Sequence, residues 1–189
     1  DGMLYFPQMA TNEISRVSLD GGPVEKVVGD LGVPDSVKFD ANGFIVSTQV
    51  ASGQVLRIDP RTGDKTIVAQ LSPGLDNSVF VGERLFVSNI GGQVDEVLAD
   101  GSSRSVIADS LLFPLGLAID ENGALLIADG GFSYLLQNGK RQTLGMFFTP
   151  GYPGYVRGVV TAGASEFVVT TSGGQVSRWW PTQQKHEVL

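Results

Sequence analysis

Hydrophobic residues enter this chain in short runs set between polar and turn-forming residues. The clearest are "LYF" (Leu4–Phe6), "FIV" (Phe44–Val46), "LFV" (Leu85–Val87), "LLI" (Leu125–Ile127) and "FVV" (Phe167–Val169). Their centres, Tyr5, Ile45, Phe86, Leu126 and Val168, recur at intervals of 40, 41, 40 and 42 residues. A second run follows each: "ISRVSLD", "QVLRID", "QVDEVLAD", "YLLQNG" and "QVSRWW". Turn pairs come next at Asp20-Gly21, Thr62-Gly63, Asp100-Gly101 and Asn138-Gly139, where a positive φ costs little. A third run closes the unit: "VEKVV", "KTIVAQ", "RSVIA", "RQTL". No segment sustains a helical period. Four short strands in each ~40 residues predict an all-β fold built from β-propeller blades. A β-solenoid would repeat at a shorter interval, and a β-sandwich has no reason to repeat its sequence.

The chain opens on a second strand, Met3–Gln8, and four inner strands follow. The expectation is one domain over 1–189 with about five blades, the first lacking its inner strand. A six-bladed parent protein would account for that opening. The ring would then be incomplete, or close by dimerisation.

The inner strands begin "DSVKF" (35–39), "NSVFV" (77–81), "LGLAI" (115–119) and "RGVVT" (157–161). The third positions, Val37, Val79, Leu117 and Val159, are apolar and predict one packed face. The second, Ser36, Ser78, Gly116 and Gly158, are small, as a crowded axis requires. The first position differs in kind: Asp35, Asn77, Leu115, Arg157. Variable chemistry on a constant frame predicts a site carried by a scaffold. Antiparallel pairing brings the ends of the second strands to the same rim, adding Asn89 and Asp129, and Asp76 adjoins Asn77.

Asp35, Asn77 and Asp76 offer the oxygens a hard divalent cation needs; the competing role is turn capping through their own backbone. Asp76 and Asp129 are candidate general bases. Arg157 could hold a substrate carboxylate, with Asn89 and Tyr155 as further substrate contacts. Tyr155 belongs to the longest irregular connection, "FFTPGYPGYVRG" (147–158), which overhangs the rim as either a lid or a packed surface loop.

Composition narrows the chemistry. With 42% hydrophobic and 17% charged residues the chain is globular. A net charge of −7 without a basic stripe argues against nucleic acid. No apolar run approaches the ~18–20 residues that span a bilayer. Cysteine is absent, so disulfides and thiolate metal sites are excluded. His186 is the only histidine and lies near the C-terminal end, which argues against a Ser-His-Asp mechanism. GxSxG, P-loop and HExxH motifs are absent.

The Pro-Asp-Ser start at Pro34–Ser36, Asn77 at the inner-strand start that follows, and "ENGALLIADGG" (121–131) resemble the senescence-marker-protein/gluconolactonase family. The likeness extends to NHL-repeat and strictosidine-synthase-like propellers. It implies a six-bladed propeller and, in the lactonases, a divalent cation, usually calcium, held at the channel by Asp35 and Asn77, with Ser36 in one branch. The family's glutamate ligand has no counterpart at any inner-strand start of this chain. The implied function is metal-dependent hydrolysis of a lactone or small ester. A non-catalytic propeller that binds a protein or small ligand, and a synthase- or lyase-like propeller, remain as alternatives.

Overall fold

The computed structural model describes residues 2–189. The first sheet has three strands, β1 (Met3–Gln8), β2 (Glu13–Ser18) and β3 (Glu25–Val28). Four sheets of four strands follow: β4 (Pro34–Phe39), β5 (Ile45–Gln49), β6 (Gln54–Ile58), β7 (Lys65–Gln70); β8 (Leu75–Val81), β9 (Arg84–Asn89), β10 (Gln93–Val97), β11 (Ser103–Ile107); β12 (Pro114–Ile119), β13 (Leu125–Asp129), β14 (Phe132–Gln137), β15 (Lys140–Met146); β16 (Val156–Gly163), β17 (Glu166–Thr171), β18 (Val176–Trp180), β19 (Lys185–Val188). Within each sheet the strands are antiparallel and in sequence order. This is the predicted propeller, with five blades of which the first has three strands.

Each pair of neighbouring blades encloses its own core. Ile14, Ile45 and Ile58 meet between the first and second blades, and Val46, Leu75 and Val87 between the second and third. Phe86, Leu117 and Ile127 fill the next gap, and Leu126, Val159 and Trp179 the last. Ile45 and Val46 thus point into different cores, as period-two alternation requires of a strand buried on both faces. This is why runs such as "FIV" and "LLI" are continuously apolar.

The inner strands pack in series, β4 on β8, β8 on β12 and β12 on β16, and β1 of the three-stranded blade packs on β4. Among the described residues no packing of that extent joins β16 to β1.

A repeated irregularity sets the rim. In every four-stranded blade the inner strand carries one residue more than its partner near its start. The register slips between Pro34 and Val37, Leu75 and Ser78, Pro114 and Leu117, and Val156 and Gly158. Such bulges re-aim a side chain out of the ladder. The partners fix the alignment, because Pro34 faces Gln49 and Leu75 faces Asn89. Asp35 therefore corresponds to Asp76, and Ser36 to Asn77. The expected column is corrected to Asp35, Asp76, Leu115 and Arg157, with Asn77 one position further in.

Hydroxyls lock the bulges. Thr48 Oγ1 accepts from Ser36 N at 3.1 Å, Ser88 Oγ from Asn77 N at 3.0 Å, and Thr170 Oγ1 from Gly158 N at 3.0 Å. Two of them also reach the next blade: Thr48 donates to the Asp76 carbonyl, and Ser88 to the Leu115 carbonyl at 2.7 Å. The boundary between the fourth and fifth blades has Ala128 at this position. There Gly116 substitutes for the hydroxyl link by letting the strands close up; a Cβ on it would stand 2.6 Å from the Arg157 carbonyl oxygen. Ser88→Ala leaves a buried donor and a buried acceptor unpaired and is expected to cost about 1–3 kcal/mol in chemical denaturation. Thr170→Val, at an exposed position, is expected to cost about 1 kcal/mol or less.

Candidate functional site

The four bulges aim their side chains at the mouth of the central channel. Asp35, Asp76, Asn77, Leu115, Arg157 and Gly158 line one cavity of about 210 Å³. The sequence-predicted rim residues on the inner strands thus do converge. Asp35 and Asp76 are half-buried, and Arg157 is exposed.

The decisive contact is between carboxyl groups. Asp76 is hydrogen-bonded to Asp35, and a negative charge on one carboxyl disfavours a second beside it. Burial and then the adjacent Asp35 charge push Asp76 up to about 8, and the positive charge of Arg157 opposes the shift. The shift favours the protonated form of Asp76 at neutral pH. Arg157 is held in place from outside, its Nε donating to Ser172 Oγ at 3.0 Å, with its guanidinium carbon 6.0 Å from the centre of the Tyr155 ring. It forms no ion pair within 4.0 Å among the described residues.

A calcium ion takes six to eight oxygens. Asn77 turns its Oδ1 to the N–H of Ser78 at 2.9 Å. Ser36 Oγ lies 2.9 Å from Ser78 Oγ, in contact across two inner strands. Among the described residues no three acidic, histidine or cysteine side chains gather as a metal-binding group. A guanidinium already lines the cavity. The mouth thus offers two carboxyls, an amide oxygen already engaged and a neighbouring guanidinium, fewer free oxygens than calcium takes.

The remaining candidates lie elsewhere. Asp129 is 1% exposed, and its carboxylate accepts from Leu112 N at 3.1 Å and Phe113 N at 2.6 Å. Asn89 donates to the Ser72 and Pro73 carbonyls and accepts from Gly91 N. Gln49, at the equivalent place, accepts from Gly32 N. All three pin the loop that leads into the inner strand, and none lines the cavity. Tyr155 packs on Gly130 and on Phe147, ring to ring at 6.0 Å, beside the mouth. The 147–158 connection is anchored by buried Tyr152, whose hydroxyl lies 3.0 Å from Ser133 Oγ and whose ring meets Trp179 edge-on. It is a packed loop with one fully exposed side chain, Phe148. His186 sits exposed on the outer strand β19.

No protein-family model and no curated protein sequence matches the chain. Solved structures do. A nidogen/laminin complex matches with TM-score 0.81 and 20% identity over 100% of this chain and 76% of that one. A provisionally named gluconolactonase matches with TM-score 0.81 and 16% identity over 99% and 73%. Regucalcin from Agrobacterium tumefaciens, described as a calcium-binding protein, matches with TM-score 0.75 and 16% identity over 94% and 66%. The chain is a β-propeller. At these identities the likeness extends to the fold alone, and the chain spans 66 to 76% of the length of these structures.

Proposed function

We propose that the channel mouth hydrolyses a small lactone or ester through the Asp35–Asp76 carboxyl pair. The observation that carries this reading is the convergence of Asp35, Asp76 and Arg157 on one cavity, where burial and the neighbouring Asp35 raise the pKa of Asp76. The fold shared with a protein named as a gluconolactonase supports it. Asp35, as the base, takes a proton from water as the water oxygen bonds to the substrate carbonyl carbon. Arg157 faces the oxyanion that forms. When that intermediate collapses, the carbon–oxygen bond to the leaving group breaks and Asp76 gives its proton to the leaving alkoxide. The proton on Asp35 then returns to Asp76 through their hydrogen bond, and the pair is reset. Water and ester are consumed; acid and alcohol are formed. A cavity of about 210 Å³ suits a small ring or short ester.

A panel of aliphatic lactones and acetate esters tests the reading, with and without a chelator. Turnover is expected to survive the chelator and to fall about 10²–10⁴-fold in Asp35→Asn. Turnover unchanged in Asp35→Asn, or none on any substrate, would remove the reading. The second reading is a rim that binds a small ligand or protein without turnover. It is favoured by Arg157, an exposed cation with no ion pair within 4.0 Å among the described residues, and saturable binding of the same compounds without product would establish it.

A further inference from the structure

A second cavity lies further along the same inner strands. It has a volume of about 530 Å³, within the ~300–1,000 Å³ typical of ligand sites. Its walls are apolar: Phe39, Phe80, Ile119 and Val160 among others. Phe39 and Val160 remain 45% and 51% exposed, so the cavity is open to solvent. One cation enters this wall, Lys38 of β4.

Lys38 is half-buried, and among the described residues its ammonium has neither a hydrogen-bond nor an ion-pair partner. Burial lowers its pKa, and no nearby carboxylate counters the effect. The acidic residue of the same cavity, Asp120, is committed to its own turn, accepting from Asn122 N at 2.9 Å and Ala124 N at 2.7 Å. An ammonium drawn partly out of water without a counter-ion is costly, and an anion seated beside it removes that cost.

The two cavities share no lining residue. The contact between Ser36 and Ser78, and the close approach of Gly116 to the Arg157 backbone, lie on the strand segments between them. The second cavity therefore has its own chemistry.

We propose that this cavity is a separate binding site for an organic anion with an apolar body, its acid group paired with Lys38 and its hydrocarbon part against Phe39, Phe80 and Val160. The proposal does not depend on hydrolysis at the mouth. Charge complementarity sets the sign of the ligand, and the apolar wall sets its body.

The test uses the 189-residue chain and a matched pair of fluorescent probes. These are 8-anilinonaphthalene-1-sulfonate and its uncharged relative N-phenyl-1-naphthylamine. The sulfonate is expected to bind saturably at one site. Lys38→Met, which keeps a long apolar side chain, is expected to weaken the sulfonate about tenfold or more. It should leave the uncharged probe within about twofold, and Lys38→Arg should retain sulfonate binding. Val160→Trp, which fills the cavity, should weaken both probes, whereas Asp76→Asn at the mouth should change neither. Equal sulfonate affinity in the parent chain and Lys38→Met would overturn the proposal. Equal losses for both probes, or the absence of saturable sulfonate binding, would do so too.

Discussion

Asp76→Asn is expected to make the protein more stable and less active in the same step. The folded-state pKa of Asp76 is raised from 3.8 to about 8. Between those values the folded chain binds the proton more tightly than the unfolded one. The stability this proton contributes is present in full below about 3.8 and is lost as pH rises through about 8. An amide keeps the shape and a hydrogen bond to Asp35 but never ionises. At pH 9 the variant is expected to exceed the parent by roughly 1–3 kcal/mol in urea denaturation, with the difference vanishing near pH 4. Activity runs the other way. The parent should lose turnover above about pH 8 as Asp76 gives up the proton it donates. Asp76→Asn should lie about 10²–10⁴-fold below the parent throughout, without that alkaline limb. A variant less stable than the parent at pH 9 would show that the two carboxyls are not forced together. A parent rate that stays flat through pH 9 would show that Asp76 is not the acid.

The second large effect belongs to the last blade. Trp179 is 1% exposed, meets Tyr152 edge-on at 5.5 Å and lies 6.1 Å from Phe167. Trp179→Ala is expected to cost about 3–5 kcal/mol. In a chain this long that lowers the melting temperature by roughly 10 °C, measurable by circular dichroism. Tyr152 also anchors the 147–158 loop beside the mouth, so loss of its packing partner should loosen that loop as well. Trp180→Ala is the control. Trp180 is half-buried and its ring nitrogen donates to Glu166 at 3.2 Å, and the change should cost about 1–2 kcal/mol. A cost for Trp179→Ala no larger than that of Trp180→Ala would place the core elsewhere.

The blades were legible because both signals behind them are local. Apolar runs such as "FIV" and glycine turns such as Asp100-Gly101 state the period of the chain directly. The rim was legible only in part. The sequence alignment of Asp35, Leu115 and Arg157 agrees with the structure, but it sets Asn77 where Asp76 stands. The motif "NSV" imitates "DSV", and a one-residue bulge leaves no mark in hydrophobic periodicity. Phe39 and Phe80 set "PDSVKF" over "LDNSVF", in which the two aspartates stand paired. Nor was variability by itself a safe guide to function. Gln49, Asn89 and Asp129 vary as much as the rim column does, yet each pins a loop, because an amide or carboxylate can satisfy backbone groups in several ways. The carboxyl–carboxyl hydrogen bond could not be read at all, since it depends on how closely two blades approach.

The bulges have a consequence for how such a protein can change over time. At Asp76 and Leu115 the hydroxyl of the preceding blade holds the main-chain carbonyl, which every amino acid possesses. The side chains of Asp76 and Leu115 belong to none of the four clusters between blades. Substitution there alters what the mouth can bind while leaving the ring's own joints as they were. The frame thus behaves as a socket with interchangeable contacts: acquiring a new chemistry requires replacing a few side chains, not refolding the chain around them.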